Sequence, residues 1–441
     1  MNSVNQSMTP ITMRRNSQGN LELGGCDLVE LAKKYSTPLY VFDEQSLRQM
    51  LHQYKEAFSR YSNVQLLYAS KACLNTAIAK IASDEGFGFD VVSGGEIYTV
   101  YKSKADMSKV VFNGSNKSEK ELELALELGV GRFSVDNFYE LELLNSLTDK
   151  KVDILLRITP GIECHTHDYI KTGQLDSKFG FDMSQIDEAI ELVLTKYKNL
   201  NLRGLHAHIG SQIFELEVYR DEVNILVNEI LRIKEKFGIE LGEINIGGGI
   251  GVKYTEEDSP VSVYEVSDTI IDELEKLIEK NNLKSLKLYL EPGRSVVSQA
   301  GVTLYTIGSS KTVQFNGHKY IAIDGGMADN PRPSLYGAKY HAEIANNKDS
   351  APIEHVTVAG KFCESGDILI EQINLPQPKT GDILCVFNTG AYNYSMASNY
   401  NRCCKAGMVL VNNSQSDIIV KRESYDDLIS RDVIPERVDK C

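Results

Sequence analysis

The sequence predicts a (β/α)8 TIM-type barrel followed by an all-β domain, an α/β plus all-β chain. Three observations carry that prediction. Eight short apolar runs recur between residues 64 and 294. The stretches between them place apolar residues at helical spacing, as in KSEKELELALELG and SQIDEAIELVLTKY. Beyond about residue 305 that spacing fades, and short strand-like runs separated by Gly and Asn take its place. Apolar runs alternating with 3.6-period segments read as βα units of a parallel sheet, and regularly spaced strands with turn residues read as all-β. A set of eight βα units closes a barrel whose active site lies at the C-terminal ends of its strands.

Taken in order, residues 1–24 are polar and read as a flexible lead-in. Residues 25–45 contain CDLVELAKKYSTPLYVFDE, which reads as a short helix, a proline break and a strand, expected to pack with the β domain. A helix to about residue 60 follows. The barrel is expected over residues 46–305. Its strands are VQLLYASK ending at Lys71, GFDVVS at Ser93, KVVFNG at Gly114, RFSVDN at Asn137, DILLRITP at Pro160, LRGLHAHIG at Gly210, EINIGGG at Gly249 and LKLYLEPGR at Arg294. Nearly every run closes on a reactive or phosphate-friendly residue. The remainder, 306–441, contains HKYIAIDGG, HVTVAGKFC, GDILCVFN and SDIIVKRES, and is expected to form a β-sandwich or β-barrel-like domain.

Composition narrows the partners. The chain has 47 Lys+Arg against 61 Asp+Glu, a net charge of -14. An acidic chain is a poor match for nucleic acid or an anionic membrane. No apolar run is long enough to span a bilayer. The N-terminal segment lacks the apolar core of a secretory signal, so a cytoplasmic protein is expected. The eight cysteines are scattered without a CxxC pair. That pattern argues against a zinc site and for free thiols in a reducing compartment.

Four features carry chemistry. Lys71 closes an apolar strand, where burial would lower its pKa and make it a Schiff-base former; the plain reading is a solvated lysine. Gly247, Gly248 and Gly249 follow a strand directly, so their backbone can approach a phosphate or simply turn tightly. Glu291-Pro292-Gly293-Arg294 puts an acid and a base at one strand end, suited to a ring nitrogen and a phosphate or carboxylate, or to an ion pair with each other. His206 and His208 alternate along one strand and share a face. They suit metal ligation or stacking on a planar cofactor, but no third ligand is evident and no metal is expected. One ligand with an aldehyde, a phosphate and a ring nitrogen meets these features together, and pyridoxal 5'-phosphate has all three.

These motifs resemble the fold-type III pyridoxal-phosphate-dependent decarboxylases, which share the alanine racemase-like barrel, over about residues 24–425. YASKAC is similar to the family's lysine motif, HIGSQ to its histidine motif, and GGG and EPGR to its phosphate and ring-nitrogen motifs. HDYIKTGQLDSKFG, DGGMADNPRPSLYGA, CESGD and GAY are closer to the diaminopimelate branch than to the ornithine or arginine branches. The resemblance implies decarboxylation of meso-2,6-diaminopimelate to L-lysine and CO2, the last step of lysine biosynthesis. The alternative is a decarboxylase of D-lysine, D-ornithine or L-ornithine. It implies Lys71 as the Schiff-base lysine, His208 stacked on the ring, and Glu291 on the ring nitrogen. Ser211, Gly247 to Gly249, Gly293, Arg294 and Tyr392 would surround the phosphate. Arg294, Arg332, Tyr336 and Tyr392 would bind substrate, the arginines at the distal carboxylate. Cys363 is implied as proton donor and Glu364 as partner of the distal ammonium, both supplied across a homodimer interface. Two departures stand out: Cys73 where the family has Asn, and NRCCKAGMVLV in place of an NxRxRP-like segment, which puts the packing near Arg402 in doubt.

Overall fold

Each of the eight apolar runs forms a strand: β1 Val64–Ala69, β2 Gly88–Val91, β3 Val110–Phe112, β4 Arg132–Val135, β5 Val152–Thr159, β6 Leu200–His206, β7 Glu243–Asn245 and β8 Lys287–Leu290. Successive strands pair in parallel, and β8 returns to β1 through Leu288↔Val64 and Leu290↔Leu66, closing the barrel. β2 and β3 are buried along their whole length. That explains why parallel strands read as continuous rather than alternating apolar runs. The computed structural model describes residues 3–161, 177–347 and 351–439. HDYIKTGQLD, Cys164 and Cys441 lie outside the described residues.

The helices follow where the spacing places them: α1 Thr76–Asp84, α2 Gly94–Lys102, α3 Glu119–Glu127, α4 Phe138–Ser146, α5 Ile186–Thr195, α6 Leu216–Phe237 and α7 Val263–Lys280. Two residues that close strand runs prove to be helix caps. Ser93 Oγ accepts from the Glu96 amide at 3.2 Å, and Asn137 Oδ1 accepts from the Glu140 amide at 3.0 Å. Each satisfies an amide that the first turn leaves without a partner, which is why Ser and Asn stand there. Between β3 and β4, Lys117 and Glu140 form an ion pair of 2.7 Å with side chains 1% and 2% exposed. The Lys117 ammonium also donates to the Gly114 and Ser134 carbonyls, so the buried charge is fully bonded.

The chain divides into two compact units, one of Met1–Met8 and Ser46–Gln299, the other of Thr9–Gln45 and Ala300–Cys441. The first described residues are not the loose lead-in that their polarity suggests. Asn5 Nδ2 donates to the Gly251 and Val261 carbonyls at 2.9 Å, so its amide satisfies backbone that would otherwise be buried bare. Leu21 and Leu23 sit in the apolar core of the second unit with Val302, Leu304 and Val411.

In that second unit the long strand Gly301–Thr312 is the hub. It pairs antiparallel with Leu39–Asp43, Ile383–Val386 and Lys319–Ile323. Leu39–Asp43 also runs parallel to Gly407–Asn412. Lys319–Ile323 and Ile353–Ala359 are parallel neighbours, with Tyr320 opposite Thr357 and Ala322 opposite Ala359. The segments DGGMADNP and GKFCESGD therefore leave the sheet side by side.

Candidate active site

The barrel gathers its polar side chains at the C-terminal ends of β1, β2, β3, β7 and β8. Lys71 lies in a short turn just after β1, and its Nζ stands 3.2 Å from Asp90 Oδ2 on β2. The lysine side chain is 37% exposed while Asp90 is fully buried. Of the two readings of the sequence, a desolvated strand-end lysine and a solvated one, the structure meets neither fully: the side chain is partly exposed and stands beside a buried carboxylate.

A hydrogen-bonded chain runs inward from Asp90. The Asn113 amide bridges two acids, donating to Asp90 Oδ1 and, at 2.9 Å, to Glu291 Oε1. Asn245 Nδ2 donates to the same Glu291 oxygen at 2.6 Å. His206 Nε2 lies 3.6 Å from Glu291 Oε2, beyond hydrogen-bond reach. Burial and the neighbouring Asp90 charge push the Glu291 carboxyl up to about 7. His206 is held neutral by burial and by nearby cations, and its Nδ1 shares a hydrogen bond of 2.6 Å with Ser134 Oγ. That bond occupies Nδ1 and turns Nε2 towards Glu291. Among the described residues no group of three or more His, Cys, Asp and Glu side chains could hold a metal ion.

The glycines are required by close approach. A Cβ on Gly247 would lie 2.5 Å from His208 Nδ1, one on Gly248 would lie 2.3 Å from the Glu291 carbonyl, and one on Gly249 would lie 2.6 Å from the Gly210 carbonyl. The ends of β6, β7 and β8 meet there, and only Gly fits. The Gly248 amide donates to His208 Nδ1 at 3.3 Å, and burial with the Lys71 and Arg157 charges keeps that imidazole neutral. Its proton then resides on Nε2. Gly293 packs on β1, where a Cβ would come within 2.9 Å of the Ala69 side chain. Arg294 donates to Ser211 Oγ at 3.2 and 3.0 Å and to the Tyr254 hydroxyl at 2.9 Å.

The first unit thus brings Lys71, His208, Ser211, Gly247 to Gly249, Glu291, Gly293 and Arg294 to neighbouring strand ends. Arg332, Tyr336, Cys363, Glu364 and Tyr392 belong to the second unit. There Arg332 is buried and donates to the Tyr340 hydroxyl at 2.7 Å, which in turn donates to Asn393 at 3.2 Å. Tyr392 has φ of 60°, an uncommon value for a bulky residue. Cys363 and Glu364 are exposed. The NRCCKAG segment that departs from the family pattern is ordered: Asn401 Oδ1 accepts from the Cys363 amide at 3.0 Å, and Arg402 pairs with Asp432 at 2.8 Å.

Sequence reasoning missed Asp90, Asn113, Asn245, Tyr254 and Asn401. A signal existed for the first three: each is a polar residue within an apolar strand run. The residues present fit pyridoxal 5'-phosphate. Two buried carboxylates bridged by one amide leave an excess of negative charge, which a cationic ring N–H would balance, and an amine stands at the far end of the same chain.

Residues 44–298 match the family model described as the pyridoxal-dependent decarboxylase, pyridoxal binding domain. A diaminopimelate decarboxylase of Bacillus subtilis strain 168 is 46% identical, over 96% of this chain and 97% of its own. One from Synechocystis is 45% identical over 99% and 95%. The crystal structure of a diaminopimelate decarboxylase from M. jannaschii, in co-complex with L-lysine, superposes with a TM-score of 0.91 at 34% identity, over 98% of this chain and 100% of that one. The chain belongs to the pyridoxal-dependent decarboxylases, in the family of the diaminopimelate decarboxylases.

Proposed function

We propose that this chain removes one carboxyl group from meso-2,6-diaminopimelate, giving L-lysine and CO2, with pyridoxal 5'-phosphate as cofactor. The step closes lysine biosynthesis. The observation that carries the reading is the extent of the likeness: 46% identity runs over 96% of the chain, through both units. A match to the barrel alone would specify the cofactor and leave the substrate open.

The bound cofactor supplies an electron sink for the pair left behind when CO2 departs. The protein does the rest. Lys71 would hold the cofactor through its aldehyde carbon, leaving that carbon open to the substrate amine. Glu291 keeps a proton on the ring nitrogen, and Asn113 and Asn245 hold that carboxylate in place. His208 would help to hold the ring. Ser211, the Gly247–Gly249 turn, Gly293, Arg294 and Tyr392 hold the phosphate. Arg332 and Tyr336, with Arg294, take the distal carboxylate; a guanidinium offers a planar fork that fits it. Glu364 takes the distal ammonium, and the Cys363 thiol delivers a proton to the carbon that has lost CO2. In this reading Cys363 and Glu364 come from the second copy of a homodimer.

The test offers the purified protein meso-diaminopimelate, D-lysine, D-ornithine and L-ornithine separately and measures CO2 release. Release from meso-diaminopimelate with L-lysine as co-product is expected. Release from one of the other amino acids in its place would overturn the substrate assignment.

A further inference from the structure

We infer that Asp367 is a positioning residue that fixes the Cys363 loop by clamping it to the neighbouring loop that leads to Arg332. The inference rests on the reading of Cys363 as proton donor and adds a residue to which that reading gives no role.

The two loops leave adjacent parallel strands, Lys319–Ile323 and Ile353–Ala359. Asp367 ends the second loop and is buried, 4% exposed. Its Oδ1 accepts from the Met327 amide of the first loop at 2.6 Å, and its Oδ2 accepts from the Phe362 amide of its own loop at 2.8 Å. Phe362 immediately precedes Cys363, so one carboxylate spans from the neighbouring loop to the residue beside the thiol. The backbone of Asp367 closes the loop from both sides. Its carbonyl accepts from the Gly360 amide at 2.9 Å, and its own amide donates to the Glu364 carbonyl at 3.1 Å. A further bond joins the loops, from the Lys361 amide to the Gly325 carbonyl at 3.0 Å.

The seat for this carboxylate is made of glycine. A Cβ on Gly326 would lie 2.4 Å from Asp367 Oδ1, and one on Gly360 would lie 2.1 Å from Oδ2. Any larger residue at either position would displace the carboxylate from the amides. A carboxylate is also the group that the geometry asks for. Both oxygens face N–H donors, and an asparagine would turn its own NH2 against one of them. The outer side of Cys363 is held separately, by Asn401.

The test compares the loaded wild-type enzyme with Asp367→Asn, Cys363→Ala and the double variant. Asp367→Asn should lower kcat by about tenfold to a hundredfold, the size expected for losing one charge-assisted hydrogen bond, and any loosening of the loop that leads to Arg332 should show separately in KM. In the Cys363→Ala background the same change should have almost no further effect on kcat, because a residue acting through the thiol has no proton donor left to position. Amide exchange over residues 325–331 and 360–367 should quicken in Asp367→Asn, a readout independent of turnover. Gly360→Ala, which keeps Asp367 but crowds its carboxylate, should reproduce both effects and serves if Asp367→Asn does not fold. Full multiplicative loss in the Cys363→Ala background, or exchange unchanged in both segments, would overturn the clamp. Wild-type kcat in Cys363→Ala alone would instead overturn the proton-donor reading and leave the clamp to the exchange result.

Discussion

Replacing Glu291 by Gln in the cofactor-free protein removes one raised carboxyl from a set of interacting buried acids. Burial and the Asp90 charge raise this carboxyl from 4.5 to about 7. On folding, such an acid keeps its proton at pH values where the unfolded chain has already lost it. Its contribution to stability is therefore full below about pH 4.5 and is lost as pH rises to about 7. A carboxyl raised from 4.5 to about 7 corresponds to roughly 3 kcal/mol. Gln keeps an oxygen that can accept from Asn113 and Asn245 but has no proton to lose. The variant should match the wild type near pH 5, to within a constant offset, and gain on it by roughly 3 kcal/mol towards pH 8. Buried Asp329 is raised as well, but both proteins contain it and its titration cancels in the difference. Glu222, raised by burial and by the Glu291 charge, is raised less in the variant, which adds to the variant's gain at high pH. The assay is the unfolding midpoint of both cofactor-free proteins across that pH range. A difference that does not vary with pH would refute the reasoning, since it would mean that Glu291 is ionised throughout and already has a cationic partner. In the loaded enzyme the same change should slow turnover by orders of magnitude while leaving the cofactor bound.

Lys71→Ala should abolish both turnover and the visible absorbance of the cofactor-bound lysine; a variant with wild-type activity and spectrum would remove Lys71 from the mechanism. Arg332→Ala should raise KM for meso-diaminopimelate far more than it affects any side activity on a substrate lacking the distal carboxylate, and equal effects on both would make Arg332 structural. Mixing Lys71→Ala and Cys363→Ala dimers under exchange should restore about a quarter of wild-type activity, because a heterodimer then carries one intact composite site. Demonstrated exchange with activity still at background would refute the shared site.

The barrel was legible because its strands are buried on both faces and its helices on one. That contrast in period survives in the sequence without knowledge of any long-range contact. The N-terminal segment was not legible for the opposite reason. Asn5 and Leu21 join different units, and what orders them is a partner distant in sequence, such as the Gly251 carbonyl for Asn5 and the core around Val302 for Leu21. In the second unit the strands could be named but not paired. Leu39–Asp43 lies between Gly301–Thr312 and Gly407–Asn412, and no local pattern records which distant strand covers which edge.

The site shows a finer version of the same limit. Attention to the last residue of each run found Lys71, Gly249 and Arg294, but also Ser93 and Asn137, which cap helices. The charged centre lies slightly further back. Asp90 is the penultimate residue of β2, Asn245 the last of β7, and Asn113 and Glu291 stand one residue beyond β3 and β8. Each interrupts an apolar run where a lone polar group would be costly to bury. The cost is met by pairing across the barrel, so the four come from strands that are not all neighbours: Asn113 reaches both Asp90 and Glu291, and Asn245 reaches Glu291. In a parallel barrel, then, a polar residue that breaks an apolar strand within a residue of its C-terminal end marks the interior of the site. The residue that closes the run marks the rim, where helix caps and ligand contacts look alike in sequence.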